Sequence, residues 1–316
     1  MSIPVLYCDP LAAFLTAASF SRDLFLWKVG KLLMKSIKSL LLFAVSQLGA
    51  VENARLDAEI LLAFMLQVER THLWAWPEKE VTLAQEKSFE VLVKRRVSGE
   101  PIAYMLGHKE FWGLTLKVNQ HTLIPRPETE LLVELVLEKF GEQVQLSILD
   151  LGTGSGAIAL ALASEKPDWK ITALDNSSEA LAVAKSNAQD HALSNVDFVC
   201  SDWFSTLDST KHFDVIVSNP PYIDSQDKHL SSLSFEPHSA LVAEKNGLQD
   251  FEKICQGARS CLKEDGLLLF EHGYEQANAV QALLKINDFH SVETVSDLAG
   301  LARVTVGRLS PMRISQ

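Results

Sequence analysis

The chain has 316 residues, 47% hydrophobic and 22% charged, values of a globular protein that exclude a disordered or fibrous one. Its net charge of −11 is unevenly placed: residues 1–140 hold 16 basic and 16 acidic side chains, whereas residues 141–316 hold 13 and 24. A broad phosphate-binding face is therefore not expected in the second half, because nucleic-acid binders carry a basic excess.

At the start of the chain the apolar runs 11–20 and 24–29 fall short of the roughly 17–25 residues of a spanning helix. Asp9, Pro10, Arg22 and Asp23 interrupt them, and no basic residue precedes Leu11 as a signal peptide requires. The expected location is the cytoplasm, with no membrane partner. From Met34 the pattern turns helical, with Ile37, Leu40, Leu41, Ala44 and Leu48 on one face and Gly49 as a stop. A second helix is expected over 53–68 with Asn53 as its N-cap. A third opens on a capping box of Thr82 and Gln85, carries Phe89, Leu92 and Val93 on its apolar face, and ends at Gly99 before Glu100 and Pro101. Residues 34–107 thus form a small helical domain, and its Lys94-Arg95-Arg96 run reads as a solvated helix face.

Phe111, Leu114, Leu116 and Val118 alternate loosely around Gly113, which predicts a hairpin within a linker over 108–127. Prolines 125 and 127 then stiffen the entry to a helix that runs through Phe140. Beyond Gly141 the chain alternates strand and helix, with strands at about 146–151, 170–174, 196–200, 213–218, 266–270, 291–295 and 303–308. That order predicts an α/β fold: a seven-stranded, mainly parallel, Rossmann-like sheet over 128–316, covered on both faces and closed by an antiparallel pair around Ala299-Gly300. Cys8, Cys200, Cys255 and Cys261 are scattered and the histidines show no ligand spacing, so neither a metal site nor a disulfide framework is expected.

The first of these strands ends at Asp150 and runs into Leu151-Gly152-Thr153-Gly154-Ser155-Gly156, a strand, a glycine turn and a helix in the order of a nucleotide-binding corner. The G-x-G-x-G spacing is one residue tighter than in dinucleotide sites, and Asp150 would repel a pyrophosphate. Both features favour S-adenosylmethionine, which presents a sulfonium and an ammonium to acids and a carboxylate to a helix N-terminus. Asp175, at the end of the second strand, is placed to receive ribose hydroxyls. Asp202 and Trp203, after the third, are placed to meet the adenine amino group and ring face.

The fourth strand ends in Asn219-Pro220-Pro221-Tyr222. A planar amino group is a poor nucleophile because its lone pair is delocalised, so a site that alkylates it must hold both N–H groups and leave the nitrogen's remaining face open. The Asn219 side-chain oxygen and the Pro220 carbonyl supply two acceptors, the prolines stiffen the backbone that aims them, and Tyr222 can stack on the planar group.

With these residues in view, the chain from about Met34 to Arg308 resembles the release-factor glutamine methyltransferase family (PrmC/HemK). Besides the glycine loop and Ser218 to Ile223, the resemblance is carried by Arg55 to Glu59, Arg95-Arg96 with Gly99-Glu100-Pro101, Glu110-Phe111-Trp112, Leu123 to Glu130, and Glu271-His272-Gly273. It implies methylation of the amide nitrogen (N5) of the glutamine in the Gly-Gly-Gln loop of class I peptide chain release factors. It places the loop 152–156, Asp175, Trp203 and Asn219 on the cofactor, Asn219 to Tyr222 on the substrate glutamine, and Arg126 beside the active site. The protein partner is expected to meet the helical domain, with residues 94–96 and the face around Arg55 as candidates, and a monomer is expected.

The sequence departs from the family in two places. Gly300-Leu301-Ala302-Arg303 lacks the acid that usually pairs with the arginine, which puts that ion pair in doubt. Residues 1–33 have no counterpart, so an upstream start-site artefact or a dispensable extension is expected there. A DNA or RNA amino-methyltransferase is the alternative function, disfavoured by the acidic second half. A module that only senses S-adenosylmethionine leaves Asn219 to Tyr222 unexplained.

Overall fold

The computed structural model describes residues 35–49 and 51–311. The extension 1–33, Cys8 and Met34 lie outside them. The chain divides into two compact units, Met1–Ile102 and Ala103–Gln316.

In the first unit, β1 (Lys35–Ser36) leads into α1 (Ile37–Gln47), which Ser36 caps by accepting from the Ser39 amide at 3.3 Å. Next come α2 (Ala54–Leu66) and α3 (Arg70–Ala75). Asn53 holds the cap position of α2 without a side-chain bond, and Gln67 ends that helix in the left-handed conformation. β2 (Glu80–Val81) pairs antiparallel with β1, and α4 (Leu83–Val97) starts on the expected Thr82–Gln85 capping box. Ile37, Leu40, Ala58, Leu61, Leu62, Leu73 and Phe89 form the buried interior.

Of the basic side chains singled out in this unit, Arg55, Arg95 and Arg96 have acidic partners within it. Arg96 meets Asp57 at 2.7 Å, Arg55 and Arg70 both meet Glu59, and Arg95 meets Glu100. Much of the apparent basic cluster is therefore neutralised locally, and it ties α2 to α4 as well as facing solvent.

The second unit begins within α5 (Ile102–Leu106), followed by the hairpin of β3 (His108–Phe111) and β4 (Leu114–Lys117). Its two turn residues, Trp112 and Gly113, have φ of 51° and 71°, the pair of positive values a tight hairpin needs. Pro127–Thr129 makes one 3-10 turn before α6 (Glu130–Phe140).

The sheet then forms from β5 (Ser147–Leu151), β6 (Lys170–Asp175), β7 (Val196–Cys200), β8 (Phe213–Ser218), β9 (Leu262–Glu271), β10 (Phe289–Ser296) and β11 (Ala302–Leu309). Their order is β10-β11-β9-β8-β5-β6-β7, and only β11 runs against the rest. Helices α6, α7 (Ala157–Glu165) and α8 (Ser178–Asp190) cover one face. Beyond the short α9 (Glu244–Gly247), α10 (Gln249–Ala258) and α11 (Ala277–Ile286) cover the other. The expected seven-stranded, mainly parallel, doubly covered sheet is thus observed.

The chain runs outward from β5 through β6 to β7 and then returns to β8 on the other side of β5. Such a reversal opens a crevice at the carboxyl ends of the strands, because the connecting segments leave in opposite directions. Every motif carrying the expected chemistry lies at that edge.

Candidate active site

The glycine loop is sewn onto the neighbouring strand. The amides of Gly152 and Thr153 donate to the Leu174 carbonyl at 2.8 and 2.9 Å, and the Gly154 amide donates to Asp175 Oδ2 at 2.8 Å. Gly154 has φ of 57°, and a Cβ built on it would meet nothing within 4 Å. Its open side belongs to a cavity of about 200 Å³.

The cavity takes its walls from the ends of four strands: Gly152 and Gly154 after β5, Asp175 to Ser177 at and beyond β6, Ser201 and Trp203 after β7, and Asn219 and Pro221 after β8. Trp203 holds φ of 47°, an uncommon conformation for a bulky aromatic, and its ring faces the Gly152 backbone. Asp175 accepts from Gly154 through Oδ2 and from the Ser177 amide through Oδ1 at 2.9 Å. Burial raises its pKa above the usual carboxylate value while these backbone bonds oppose the rise.

The remaining predicted residues are placed differently. Strand alternation sends Leu149 and Leu151 into the core beneath α10 and α11, and Asp150 to the opposite face. Asp150 is fully buried beneath the loop, off the cavity wall, and Oδ2 accepts from the Thr153 hydroxyl at 2.6 Å. Its Oδ1 has no hydrogen bond of good geometry, and burial pushes its pKa up to about 7. Asp202 is exposed and also off the wall, because the turn after β7 directs Ser201 and Trp203 inward instead. Ser155 is buried, with its carbonyl accepting from Asn187, and Gly156 starts α7 with φ of 87°. The three acids expected to line the site together therefore separate: Asp175 lines the cavity, Asp150 lies behind the loop and Asp202 faces solvent.

Asn219 follows β8 directly, and Ser218 bonds back to the Leu151 carbonyl at 2.8 Å, fixing the two strand ends side by side. The Asn219 side chain donates through Nδ2 to the Thr129 hydroxyl at 3.3 Å, so Oδ1 is left to accept. Pro220 is buried, Pro221 lines the cavity, and Tyr222 is half-buried off its wall with its hydroxyl 3.4 Å from Glu271 Oε1.

Two wall segments were not found from the sequence, His121 with Leu123 and Pro237 with Ser239 and Ala240. Glu236 links them: it accepts from the Ile124 amide at 3.0 Å and pairs with Arg126 at 2.5 Å. Arg126 itself is off the wall, and its observed partner is Glu236. The ion pair placed in doubt by Ala302 does form, because Asp297 supplies the acid and meets Arg303 at 2.9 Å.

Residues 142–302 match the family model described as a methyltransferase domain, and residues 39–107 match the PrmC N-terminal domain. The release factor glutamine methyltransferase of Salmonella typhimurium is 49% identical over 270 residues, spanning 85% of this chain and 97% of that one. The Coxiella burnetii protein of the same name is 46% identical over 276 residues, spanning 87% and 99%.

The chain belongs to the release factor glutamine methyltransferase family.

The resemblance carried by the motifs is thus borne out. A solved protein-(glutamine-N5) methyltransferase (release factor-specific) from Alicyclobacillus acidocaldarius is 26% identical, with coverage of 62% of this chain and 100% of that one and a TM-score of 0.38. Family membership rests on the sequence relatives.

The residues present fit the methyl donor of such an enzyme. Gly154 leaves backbone open to the cavity, Asp175 faces it, and the buried Asp150 has an unsatisfied oxygen beneath the loop. Among the described residues, no cluster of His, Cys, Asp or Glu could hold a metal ion, and no helix is long and apolar enough to cross a membrane.

Proposed function

We propose that this protein transfers a methyl group from S-adenosyl-L-methionine to N5 of the glutamine in the Gly-Gly-Gln motif of class I peptide chain release factors. The observation that carries the reading is the Asn219 amide at the cavity wall, with its nitrogen engaged by Thr129 and its oxygen left to accept.

S-adenosylmethionine, when bound, supplies an electrophilic methyl group on a cationic sulfur. Gly152 and Gly154 give it backbone without side chains, Asp175 takes its hydroxyl-bearing end, and Trp203 offers an apolar face. Asn219 Oδ1 and the Pro220 carbonyl accept the two N–H groups of the substrate amide, which fixes its plane and leaves the nitrogen's remaining face toward the donor. Holding reactants in line in this way can supply up to about 7–11 kcal/mol of barrier lowering. No base need act first, because the methylated nitrogen is acidic and sheds its proton readily. The helical unit selects the protein substrate, since one glutamine must be chosen among many.

The test offers labelled S-adenosylmethionine with an intact release factor, its Gln→Ala loop variant, duplex DNA and tRNA in parallel. Label is expected in the intact release factor alone. Label in nucleic acid and none in protein would reject the assignment in favour of an amino-methyltransferase acting on bases.

A further inference from the structure

Pro220 and Pro221 have no N–H with which to tie themselves to a neighbour, so the direction of the Pro220 carbonyl depends on how the ends of the turn are held. Ser218 fixes the entry through its bond to the Leu151 carbonyl. At the exit, the Ile223 amide donates to the Leu241 carbonyl at 2.9 Å, and the Ile223 carbonyl accepts from the Ala243 amide at 3.0 Å. The Tyr222 carbonyl belongs to the same planar peptide unit as the Ile223 amide, and it accepts from Gln276 Nε2 at 3.0 Å. That peptide plane is therefore gripped on both edges.

Gln276 stands between β9 and α11, half-buried and off the cavity wall. Its Oε1 accepts from the Gly273 amide at 3.0 Å, and its NH2 reaches the carbonyls of Tyr222 at 3.0 Å and Asn246 at 3.4 Å. A backbone amide only donates and a backbone carbonyl only accepts, so these partners fix which end of the side chain faces which. Asn246 lies in α9, where Lys245, Asn246 and Gly247 have φ of 55°, 56° and 78° in succession. Two of these carry side chains in a conformation that costs energy and persists only where the surroundings enforce it. A Cβ on Gly247 would collide with the Tyr222 carbonyl oxygen, so this strained turn lays bare backbone against the atom that Gln276 holds.

We propose that Gln276 is a positioning residue for methyl transfer, holding the Tyr222 carbonyl so that the 219–222 turn keeps the Pro220 carbonyl aimed at the substrate amide. This deepens the role assigned to residues 219–222 above and rests on it. Gln276 touches neither reactant, so its contribution is geometric.

Gln276→Glu separates this role from closing the local turn at 273–276. Glutamate keeps the length and the acceptor for the Gly273 amide, and its charge suits the start of a helix, but it offers no hydrogen to either carbonyl. The wild type is first assayed on release factor and on duplex DNA, and the acceptor it methylates is used for Gln276→Glu, Gln276→Met, Gly247→Ala and the double variant Gln276→Glu/Gly247→Ala. Each is expected to lower kcat by about 10–100-fold, with S-adenosylmethionine affinity in calorimetry kept within about threefold. The double variant should be no worse than the more damaging single one, since both displace the same carbonyl. Gln276→Met removes the donors without adding charge and repeats the test should the glutamate variant fail to fold. Gln276→Glu with near wild-type kcat, a loss of cofactor affinity that matches the loss of kcat, or multiplying effects in the double variant overturns the inference. Label entering DNA instead of the release factor rejects the glutamine assignment yet still tests Gln276, because an adenine amino group presents the same pair of N–H donors.

Discussion

The amide of Gly154 donates to Oδ2 of Asp175 at 2.8 Å, joining the glycine loop after β5 to the end of β6. Under the proposed function, the loop that would hold the cofactor and the acid that would take its ribose are thereby placed by one hydrogen-bonded corner. Gly154→Val adds a side chain on the open side of the loop, at φ of 57° where only glycine is relaxed. We expect S-adenosylmethionine binding to be lost in calorimetry, with a stability loss of about 1–2 kcal/mol in denaturant titration.

Cofactor affinity should depend on pH through the raised carboxyls. Burial pushes Asp150 up to about 7, and Asp175 is raised in the same direction. A cationic ligand favours the ionised acid, so affinity is expected to rise from pH 5.5 to pH 8, with proton release on binding. Calorimetry in buffers of different ionisation enthalpy measures that release, and Asp150→Asn should reduce it.

The same acid affects stability without ligand. Between its unfolded value near 3.8 and about 7, the native state holds a proton that the unfolded chain has released. Stability contributed by this site therefore falls as pH rises through that window, by at most about 1.4 kcal/mol per pH unit. Asp150→Asn is expected to flatten this dependence in denaturant titrations at pH 5 and pH 8.

Glu236 holds Arg126 and the Ile124 amide from a side chain only 3% exposed. Glu236→Gln should cost about 1–3 kcal/mol of stability, because the guanidinium loses its counter-charge. It should also weaken cofactor binding, since the wall segments around His121 and Pro237 lose their common anchor. Thermal melts and calorimetry check the two effects separately.

Much of this architecture could be read from the chain. Strands β5 and β8 are mostly apolar, with Ile148, Leu149 and Leu151 in one and Phe213, Val215, Ile216 and Val217 in the other, as expected of strands buried on both faces, and glycines and the Asn219-Pro220 turn mark their ends. The two-residue pairing of β1 with β2 was missed because such a short stretch carries no periodicity. Asp150 was read from its charge as favouring a cationic donor, whereas alternation within Ser147–Leu151 turns neighbouring side chains to opposite faces and leaves it behind the loop.

The supporting residues were not legible for another reason. Thr129 reaches Asn219 across 90 positions, Tyr222 reaches Glu271 across 49, and Arg126 reaches Glu236 across 110. None of these pairs leaves a local pattern. Asp297 shows the same limit in reverse: an ion pair that seemed lost with the residue at 302 is made from the other end of the turn.

The most direct test is tandem mass spectrometry of a release factor methylated by the wild type and by Asn219→Ala, with S-adenosylmethionine affinity measured for both. The account predicts a methyl group on the amide of the Gly-Gly-Gln glutamine with the wild type, and none with Asn219→Ala despite retained cofactor binding. A methyl group on another residue, or on the same glutamine at most of the wild-type rate with Asn219→Ala, would contradict it.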